Sequence, residues 1–195
     1  MESLVPLLVV LAGPNGAGKS TCAPYVLKDA LGVDEFVNAD TIAEGLSAYR
    51  PDTAAVAAGK VMLERLRALA SLRRDFAFET TLSGRSNARW LLELQTTGYR
   101  TCLVFLSLPS ADLAVARVAD RVRRRGHHVP EVVIRRRFVA GLSNLFSVYM
   151  HVVDAWTVYD NADVVGPRLV ASQAFSASTV IADSKAWRIL KELPA

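Results

Sequence analysis

Apolar runs alternate with helical patterns along most of the chain. Four short runs with the composition of buried strands are predicted to be strands at residues 7–13, 35–39, 75–80 and 100–108. Helices are predicted at residues 19–31, 52–72, 86–97, 110–125 and 130–150. Strand candidates at 156–160, 168–175 and 178–182 precede a last helix at 184–193. This order predicts one α/β domain over residues 1–195, with a mostly parallel sheet covered by helices on both faces.

The charge distribution narrows the classes of function. Hydrophobic residues make up 51% and charged residues 22% of the chain, as in folded globular domains. The net charge of +4 is local, because residues 117–137 hold eight arginines and two acidic residues, whereas the remainder holds 15 basic and 17 acidic residues. A nucleic-acid surface usually spreads its charge over a larger face. The pattern therefore favours a site for a small anion over a nucleic-acid partner.

Two features bear on location. Cys22 and Cys102 lie far apart without metal-ligand spacing, which favours a reducing, cytoplasmic setting. The N-terminal apolar run is shorter than the roughly 20 residues that cross a bilayer, and it lacks the basic segment of a signal peptide. We therefore expect a cytoplasmic protein without a membrane partner.

A glycine-rich segment, "GPNGAGKS", follows the first predicted strand and matches the phosphate-binding pattern G-x-x-x-x-G-K-[ST]. In such a loop the backbone N–H groups surround phosphates, Lys19 reaches the β- and γ-phosphates, and the Ser20 hydroxyl binds Mg²⁺. The predicted nucleotide-binding residues are Gly13, Pro14, Asn15, Gly16, Ala17, Gly18, Lys19, Ser20 and Thr21.

Polar residues also end the second and third predicted strands, at the sheet edge where ligands bind parallel sheets. Asp40 is a candidate base for an attacking hydroxyl; alternatively, Asp40 or Thr41 only caps the helix that follows. Glu79 and Thr81 end the third strand. Glu79 is predicted to bind an acceptor hydroxyl or to lie in the outer shell of Mg²⁺, the alternative being an ion pair with an arginine.

The arginine-rich segment is predicted to form a lid over about residues 117–137. Arg117, Arg121 and Arg125 are spaced to share one helical face, and residues 135–137 lie on the next helix beyond a glycine turn. A lid of this kind would close over ATP, exclude water and bring guanidinium groups to the transferring phosphoryl group. We expect two or three arginines to reach phosphate, and Arg117 and Arg123 to be solvated.

Taken in order, these motifs resemble the zeta-toxin-like family of phosphate-loop kinases. The resemblance runs from Leu7 to about Trp187 and rests on the segments "GPNGAGKST", "NAD", "FETTLSG", "GY", "RVRRRGHHVPEVVIRRRF", "NL" and "VYDN". It implies a single P-loop NTPase domain, similar to nucleoside monophosphate kinases, that transfers the γ-phosphoryl group of ATP, or alternatively GTP, to a hydroxyl acceptor. Toxins of this family phosphorylate UDP-N-acetylglucosamine. A nucleotide sugar is thus an implied acceptor, and a separate antitoxin chain an implied partner.

The resemblance also implies roles for individual residues. Asp40 would act as the base, and Glu79 and Thr81 match the family's acceptor-binding E-x-T. Tyr159–Asn161 would lie near the nucleotide base. The arginines implied to stabilise the transferring phosphoryl group are Arg124, Arg125, Arg136 and Arg137. The segments "GHHVPE" and "YDNAD" are more similar to the family's short branch.

Two other functions stay open. The first is a regulatory P-loop ATPase without a phosphoryl acceptor, and the second is a nucleic-acid-binding protein that uses the arginine cluster. Asp40 and Glu79 favour the kinase over the ATPase, because hydrolysis alone needs no base placed for an acceptor. The salt dependence of binding to nucleic acid would test the second alternative.

Overall fold

One sheet organises the computed structural model, which describes residues 5–48, 50–124, 126–163 and 165–193. Its seven strands among these residues lie in the order β2-β3-β1-β4-β5-β6-β7. The strands are β1 (Leu7–Ala12), β2 (Glu35–Val37), β3 (Phe76–Thr80), β4 (Arg100–Ser107), β5 (Ala155–Asp160), β6 (Arg168–Gln173) and β7 (Val180–Ile181). β1 to β5 pair in parallel, and β6 and β7 add antiparallel strands at one edge. The predicted mostly parallel sheet is thereby confirmed.

Eight α-helices are assigned over the same described residues. They are α1 (Lys19–Ala23), α2 (Ala39–Leu46), α3 (Ala55–Ser71), α4 (Ser86–Thr96), α5 (Ala111–Arg123), α6 (Glu131–Asn144), α7 (Met150–Val152) and α8 (Ser184–Glu192). The helix predicted from residue 19 continues past α1 in π-helical geometry at Pro24–Asp29, starting at a proline that has no N–H for the α-helical ladder. No helix in the described ranges is long and apolar enough to cross a membrane.

The core fills both faces of the sheet. Alternate strand residues point to opposite sides, so Val10 and Phe78 join one cluster of buried side chains while Val9 and Ala77 join another. Residues 8–12 are fully buried, which explains why the first strand reads as a continuous apolar run. Helices therefore cover both faces, as predicted.

The predicted lid corresponds to α5, the turn after it and α6. Both helices bury one face in the main core, through Val118 on α5 and Ile134 and Phe138 on α6. The body of this helix pair is therefore part of the packed domain. We call the pair and its turn, residues 111–144, the arginine arm.

The start of α2 differs from the sequence-based prediction. The N-cap is Asn38, whose side-chain Oδ1 accepts a hydrogen bond from the backbone N–H of Asp40 at 2.8 Å. Asp40 and Thr41 lie inside the first turn, so the prediction that one of them caps the helix was wrong. The capping role passes to Asn38 because it keeps the extended backbone that this position requires, with φ −128° and ψ 123°.

Candidate active site

The phosphate loop connects β1 to α1 and closes tightly against its neighbours. Gly13 has φ 141°, and a Cβ there would lie 2.2 Å from the carbonyl oxygen of Leu106. Gly18 has φ 79°, and a Cβ there would lie 2.7 Å from Nδ2 of Asn161. Both positions therefore require glycine, for conformation and for space. These contacts hold the loop closely against β4 and the segment after β5.

Lys19 lies inside the loop rather than in solvent. Its side chain is 6% exposed, and Nζ donates hydrogen bonds of 2.9 Å to the carbonyls of Gly13 and Pro14. Nζ is also 3.5 Å from Oε1 of Glu79. Burial lowers the pKa of Lys19 from its ordinary value, while the carboxylates of Glu79 and Asp40 oppose that shift. The loop thus holds a compact ammonium group at its centre.

Glu79 ends β3 beside the loop, where β3 and β1 run in parallel. Its Oε2 accepts hydrogen bonds of 2.8 Å from the Ser20 hydroxyl and from Nδ2 of Asn38. The sequence analysis offered an ion pair with an arginine as the alternative to a functional role for Glu79. Glu79 instead forms its ion pair with Lys19. A hydroxyl and a carboxylate are oxygen donors of the kind that Mg²⁺ prefers, so Ser20 and Glu79 fit a magnesium site.

Asp40 lies on the first turn of α2 and lines the same cleft. Its side chain is exposed, and the cap of this helix is made by Asn38. The Asp40 carboxylate is thus free of the capping role and near enough to Lys19 to raise the pKa of that ammonium.

Thr81 begins a loop after β3, residues 81–84, that we call the acceptor loop after the role we propose for it below. Leu82 in this loop is fully buried and has φ 54°, a backbone conformation that is costly for a branched residue. The amide of Asn144 donates to the Leu82 carbonyl at 2.8 Å, and the Tyr149 hydroxyl donates to the Gly84 carbonyl at 2.7 Å. Burial raises the pKa of Tyr149 to about 12, which keeps this donor protonated.

The end of α6 therefore braces the acceptor loop from behind. At Gly141 a Cβ would lie 2.5 Å from the Thr81 carbonyl oxygen, so only glycine allows the helix to come this close. Asn144 is 5% exposed, and its Oδ1 accepts from Nε of Arg85 at 2.8 Å. The sequence motif "NL" at 144–145 is explained by this bracing contact and by the full burial of Leu145.

The arginines of the arm fall into distinct environments. Arg117 donates two hydrogen bonds of 2.7 Å to the carbonyls of Asn161 and Ala162, so the expectation that it is solvated was wrong. Its guanidinium is fixed because the helix turns this position toward the loop after β5. Asn161 in turn donates to the Ala17 carbonyl at 2.7 Å, which places it against the phosphate loop.

Arg121 is held over the cleft on the same helical face as Arg117. Its Nη2 donates to the His127 carbonyl at 2.9 Å, and its aliphatic part lies against Gly126, where a Cβ would be 2.5 Å from Cγ. Its Nε is buried and has no hydrogen-bond partner within the described part of the chain. The charge of Arg121 also contributes to the lowered pKa of Lys19, after the larger effect of burial.

The four arginines implied by the resemblance have different placements. Arg137 lines the cleft, and Arg124 lines it while pairing with Asp120 at 3.2 Å. Arg136 is exposed and lies outside the cleft lining. Arg125 lies outside the described residues. Arg123 is exposed, as expected, and shares Asp120 at 3.1 Å.

These groups line one cleft of about 550 Å³. Its titratable lining comprises Lys19, Arg117, Arg121, Arg124 and Arg137 against Asp40, Glu79 and Asp120. The excess of positive groups suits a polyphosphate. Six of the nine predicted loop residues line the cleft. The other three, Gly13, Pro14 and Ala17, do not line it, and their carbonyls accept hydrogen bonds from Lys19 or Asn161.

Three residues that build the site were not among the predicted site residues: Arg117, Arg121 and Asn144. The spacing of Arg117 and Arg121 by four residues did indicate a shared helical face. This spacing identified two arginines that line the cleft, whereas the family resemblance included Arg136, which does not line it. Asn144 carried no comparable signal, because single asparagines at element ends are common caps and turn formers.

Comparisons with known proteins bear on the family and the fold of the chain. A family model described as an AAA domain matches residues 8–138. An uncharacterized protein of Haemophilus influenzae is 25% identical over 130 residues, which cover 67% of this chain and 91% of that protein. Residues 8–138, which the family model matches, contain the phosphate loop, Asp40, Glu79 and most of the arginine arm.

Two solved structures share the fold. A crystal structure of AvrRxo1-ORF1:-ORF2 with ATP has a TM-score of 0.76 at 18% identity, covering 97% of this chain and 64% of that chain. A structure from the PezAT chromosomal toxin-antitoxin system of Streptococcus pneumoniae has a TM-score of 0.67 at 19% identity, covering 99% of this chain and 80% of that one. This chain thus spans less than two thirds of the AvrRxo1 chain. The likeness to these structures confirms the predicted fold, an α/β domain with a mostly parallel sheet.

Proposed function

We propose, from the premise that this chain belongs to the AAA domain family, that it is an ATP-dependent kinase which phosphorylates a hydroxyl of a small molecule. One observation carries the proposal. The phosphate loop, a candidate base on α2 and a set of arginines line a single cleft. A nucleotide γ-phosphate held by the loop would lie between the base and the arginines, as phosphoryl transfer requires.

The loop side would bind the nucleotide. Its N–H groups and the Lys19 ammonium would hold the β- and γ-phosphates, with Lys19 already oriented by two loop carbonyls. Ser20 would hold Mg²⁺ directly, and Glu79, bonded to the Ser20 hydroxyl, would lie in its outer shell. When bound, Mg²⁺ would neutralise charge on the phosphates. The AvrRxo1 complex with ATP supports ATP as the nucleotide.

The acceptor side would centre on Asp40 and Thr81. Asp40 would accept the proton of the attacking hydroxyl, since its carboxylate is exposed to the cleft. Thr81 would contact the acceptor from a loop that is braced by α6. Glu79, implied by the resemblance to bind the acceptor, is directed to Ser20 and Lys19 instead. We therefore assign it to the metal side.

The arginine arm would stabilise the transferring phosphoryl group. Arg121 is the strongest candidate, because its Nε is buried, has no partner among the described residues and belongs to a side chain fixed over the cleft. Arg137 and Arg124 line the cleft beside it. Arginine suits this role because its planar fork matches the equatorial oxygens of the phosphoryl group.

The acceptor we propose is a nucleotide sugar such as UDP-N-acetylglucosamine, on the likeness to a toxin-antitoxin system. The same likeness supports a separate antitoxin chain as a partner. The free thiols of Cys22 and Cys102 suit a cytoplasmic location. A regulatory ATPase is the second candidate, but the free Asp40 carboxylate at the acceptor side favours the kinase.

A transfer assay tests the proposal. The protein is incubated with ATP, Mg²⁺ and a panel of nucleotide sugars, nucleosides and other alcohols, and phosphorylated products are sought by mass spectrometry. Asp40→Asn keeps the shape of the side chain and should lower transfer by roughly 10²–10⁴-fold with little change in ATP affinity. ATP hydrolysis equal in both proteins, with no product from any alcohol, would support the regulatory ATPase instead.

A further inference from the structure

Asn38 contacts three residues of the candidate site: Ser20, Glu79 and Asp40. It follows β2, is 8% exposed, and its Nδ2 donates to Oε2 of Glu79 at 2.8 Å and lies 3.3 Å from the Ser20 hydroxyl. Its Oδ1 accepts from the backbone N–H of Asp40 at 2.8 Å. One buried side chain thus touches the candidate metal ligand, the carboxylate behind it and the segment that carries the candidate base.

Capping alone does not require an amide at this position. Serine, aspartate and asparagine are about equally good N-caps, since each offers an oxygen to the first turn. The amide adds a donor, which neither an ionised aspartate nor an aliphatic residue has. At Asn38 that donor is used on Glu79, where a hydrogen bond to a charged oxygen is stronger than one between neutral groups.

The donor also decides where the Glu79 carboxylate points. With Oε2 bonded by Asn38 and by the Ser20 hydroxyl, Oε1 remains 3.5 Å from Lys19. Without the amide, nothing on the β2 side would hold Oε2 beside Ser20, and the carboxylate could turn toward the ammonium. The orientation of Glu79 would then no longer favour a cation next to the Ser20 hydroxyl.

We propose that Asn38 is a positioning residue that couples the magnesium side of the cleft to its acceptor side. Its amide N–H₂ orients Glu79 toward Ser20, and its carbonyl oxygen holds the first turn of α2, which carries Asp40. This inference rests on the proposed function. It predicts that the amide N–H₂ of Asn38 increases the factor by which Mg²⁺ strengthens ATP binding. This effect should be separate from the contribution of the capping oxygen to stability.

The test measures ATP binding to the intact protein by calorimetry, once in EDTA and once in Mg²⁺. The measured quantity is the factor by which Mg²⁺ strengthens ATP binding. Asn38→Ser keeps a capping oxygen but is too short to reach Glu79, and should reduce this factor by roughly 10-fold or more, as removal of groups behind a metal ligand usually does. ATP affinity in EDTA should change by less than about twofold.

Two further variants separate positioning from stability. Asn38→Ala removes cap and donor together, and should show the same loss of the Mg²⁺ effect with a lower melting temperature. Asp183→Ala removes the cap of α8, where Oδ1 accepts from the Ala186 N–H at 2.9 Å. It should lower the melting temperature and leave the Mg²⁺ effect unchanged.

The outcomes are distinct. If Asn38→Ser binds ATP with the same Mg²⁺ factor as the unchanged protein, Asn38 is only a cap and the inference is overturned. If the Asp183→Ala control loses the factor as well, the loss reflects destabilisation and the inference also fails. An unchanged protein that binds no ATP in either buffer would contradict the proposed function itself, and the inference with it.

Discussion

The two walls of the cleft are built in different ways. On the loop side, the functional groups of Lys19, Ser20 and Glu79 are all bonded to one another or to the backbone. Lys19 and Ser20 begin the helix after β1, and Glu79 lies near the end of β3. On the arginine arm, guanidinium groups close in sequence have unlike surroundings. Arg121 is held inside the cleft, whereas Arg136 is exposed outside it.

The difference teaches which part of a site a sequence motif can specify. A strand end fixes the position of the next residue through the sheet, so a motif that follows a strand is sufficient to locate its groups. A helix rotates about 100° per residue, so neighbouring arginines point in different directions and only the rotation of the packed helix decides which enter the cleft. The loop side should thus be sensitive at every residue, and the arm at selected ones.

The largest effect is expected from Lys19→Ala on the loop side. The variant removes the buried ammonium at the centre of the loop, and should abolish measurable ATP turnover and weaken nucleotide binding. Steady-state ATP turnover and a calorimetric titration with ATP check this. Turnover at the level of the unchanged protein would refute the assignment of the phosphate loop.

On the arm, Arg121→Ala and Arg136→Ala should differ strongly. Arginine at a transferring phosphoryl group can contribute roughly 10³–10⁵ in rate, so Arg121→Ala should lower kcat on that scale and change KM for ATP far less. Arg136→Ala, which removes an exposed side chain, should change kcat by less than about twofold. Arg121→Lys should restore little, because it lacks the planar fork.

The opposite result would break the comparison. A solvated basic surface predicts that both variants lose nucleic-acid affinity by small and similar amounts, while ATP turnover is untouched. Each removal would then also make the salt slope of nucleic-acid binding shallower. Melting curves of both variants exclude loss of folding as the cause, which is necessary because Arg121 bonds the turn carbonyl of His127.

The fold was accessible from the sequence because its elements are regular. Continuous apolar runs marked β1 and β4, and the buried parallel sheet requires such runs. Asp40 and Glu79 could be located for the same reason, as residues at strand ends. The contact of Asn144 could not be predicted, since it depends on where α6 meets the loop after β3 in three dimensions.

A smaller effect is expected where the arm supports the acceptor loop. Asn144→Ala leaves the Leu82 carbonyl without its donor, and should lower the free energy of unfolding by about 1–3 kcal/mol. Ser143→Ala, the preceding residue on α6, should change it by less than about 0.5 kcal/mol. Denaturant unfolding measures both. ATP affinity should be unaffected, because Asn144 braces the acceptor loop and not the phosphate loop.

The smallest effect is expected at Asp120, the acidic residue of the arm that lines the cleft. It pairs with Arg123 and Arg124 on the surface, and its charge opposes that of a bound polyphosphate. Asp120→Asn frees both arginines, and should strengthen ATP binding by about two- to fivefold at low salt, the scale of one exposed ion pair. In about 1 M salt, where screening acts within about 3 Å, the gain should vanish. Glu93→Gln is the matched control, because Glu93 pairs with Arg89 on α4, outside the cleft lining. A gain of equal size in the control, or a gain that survives high salt, would mean that the arm does not face the nucleotide.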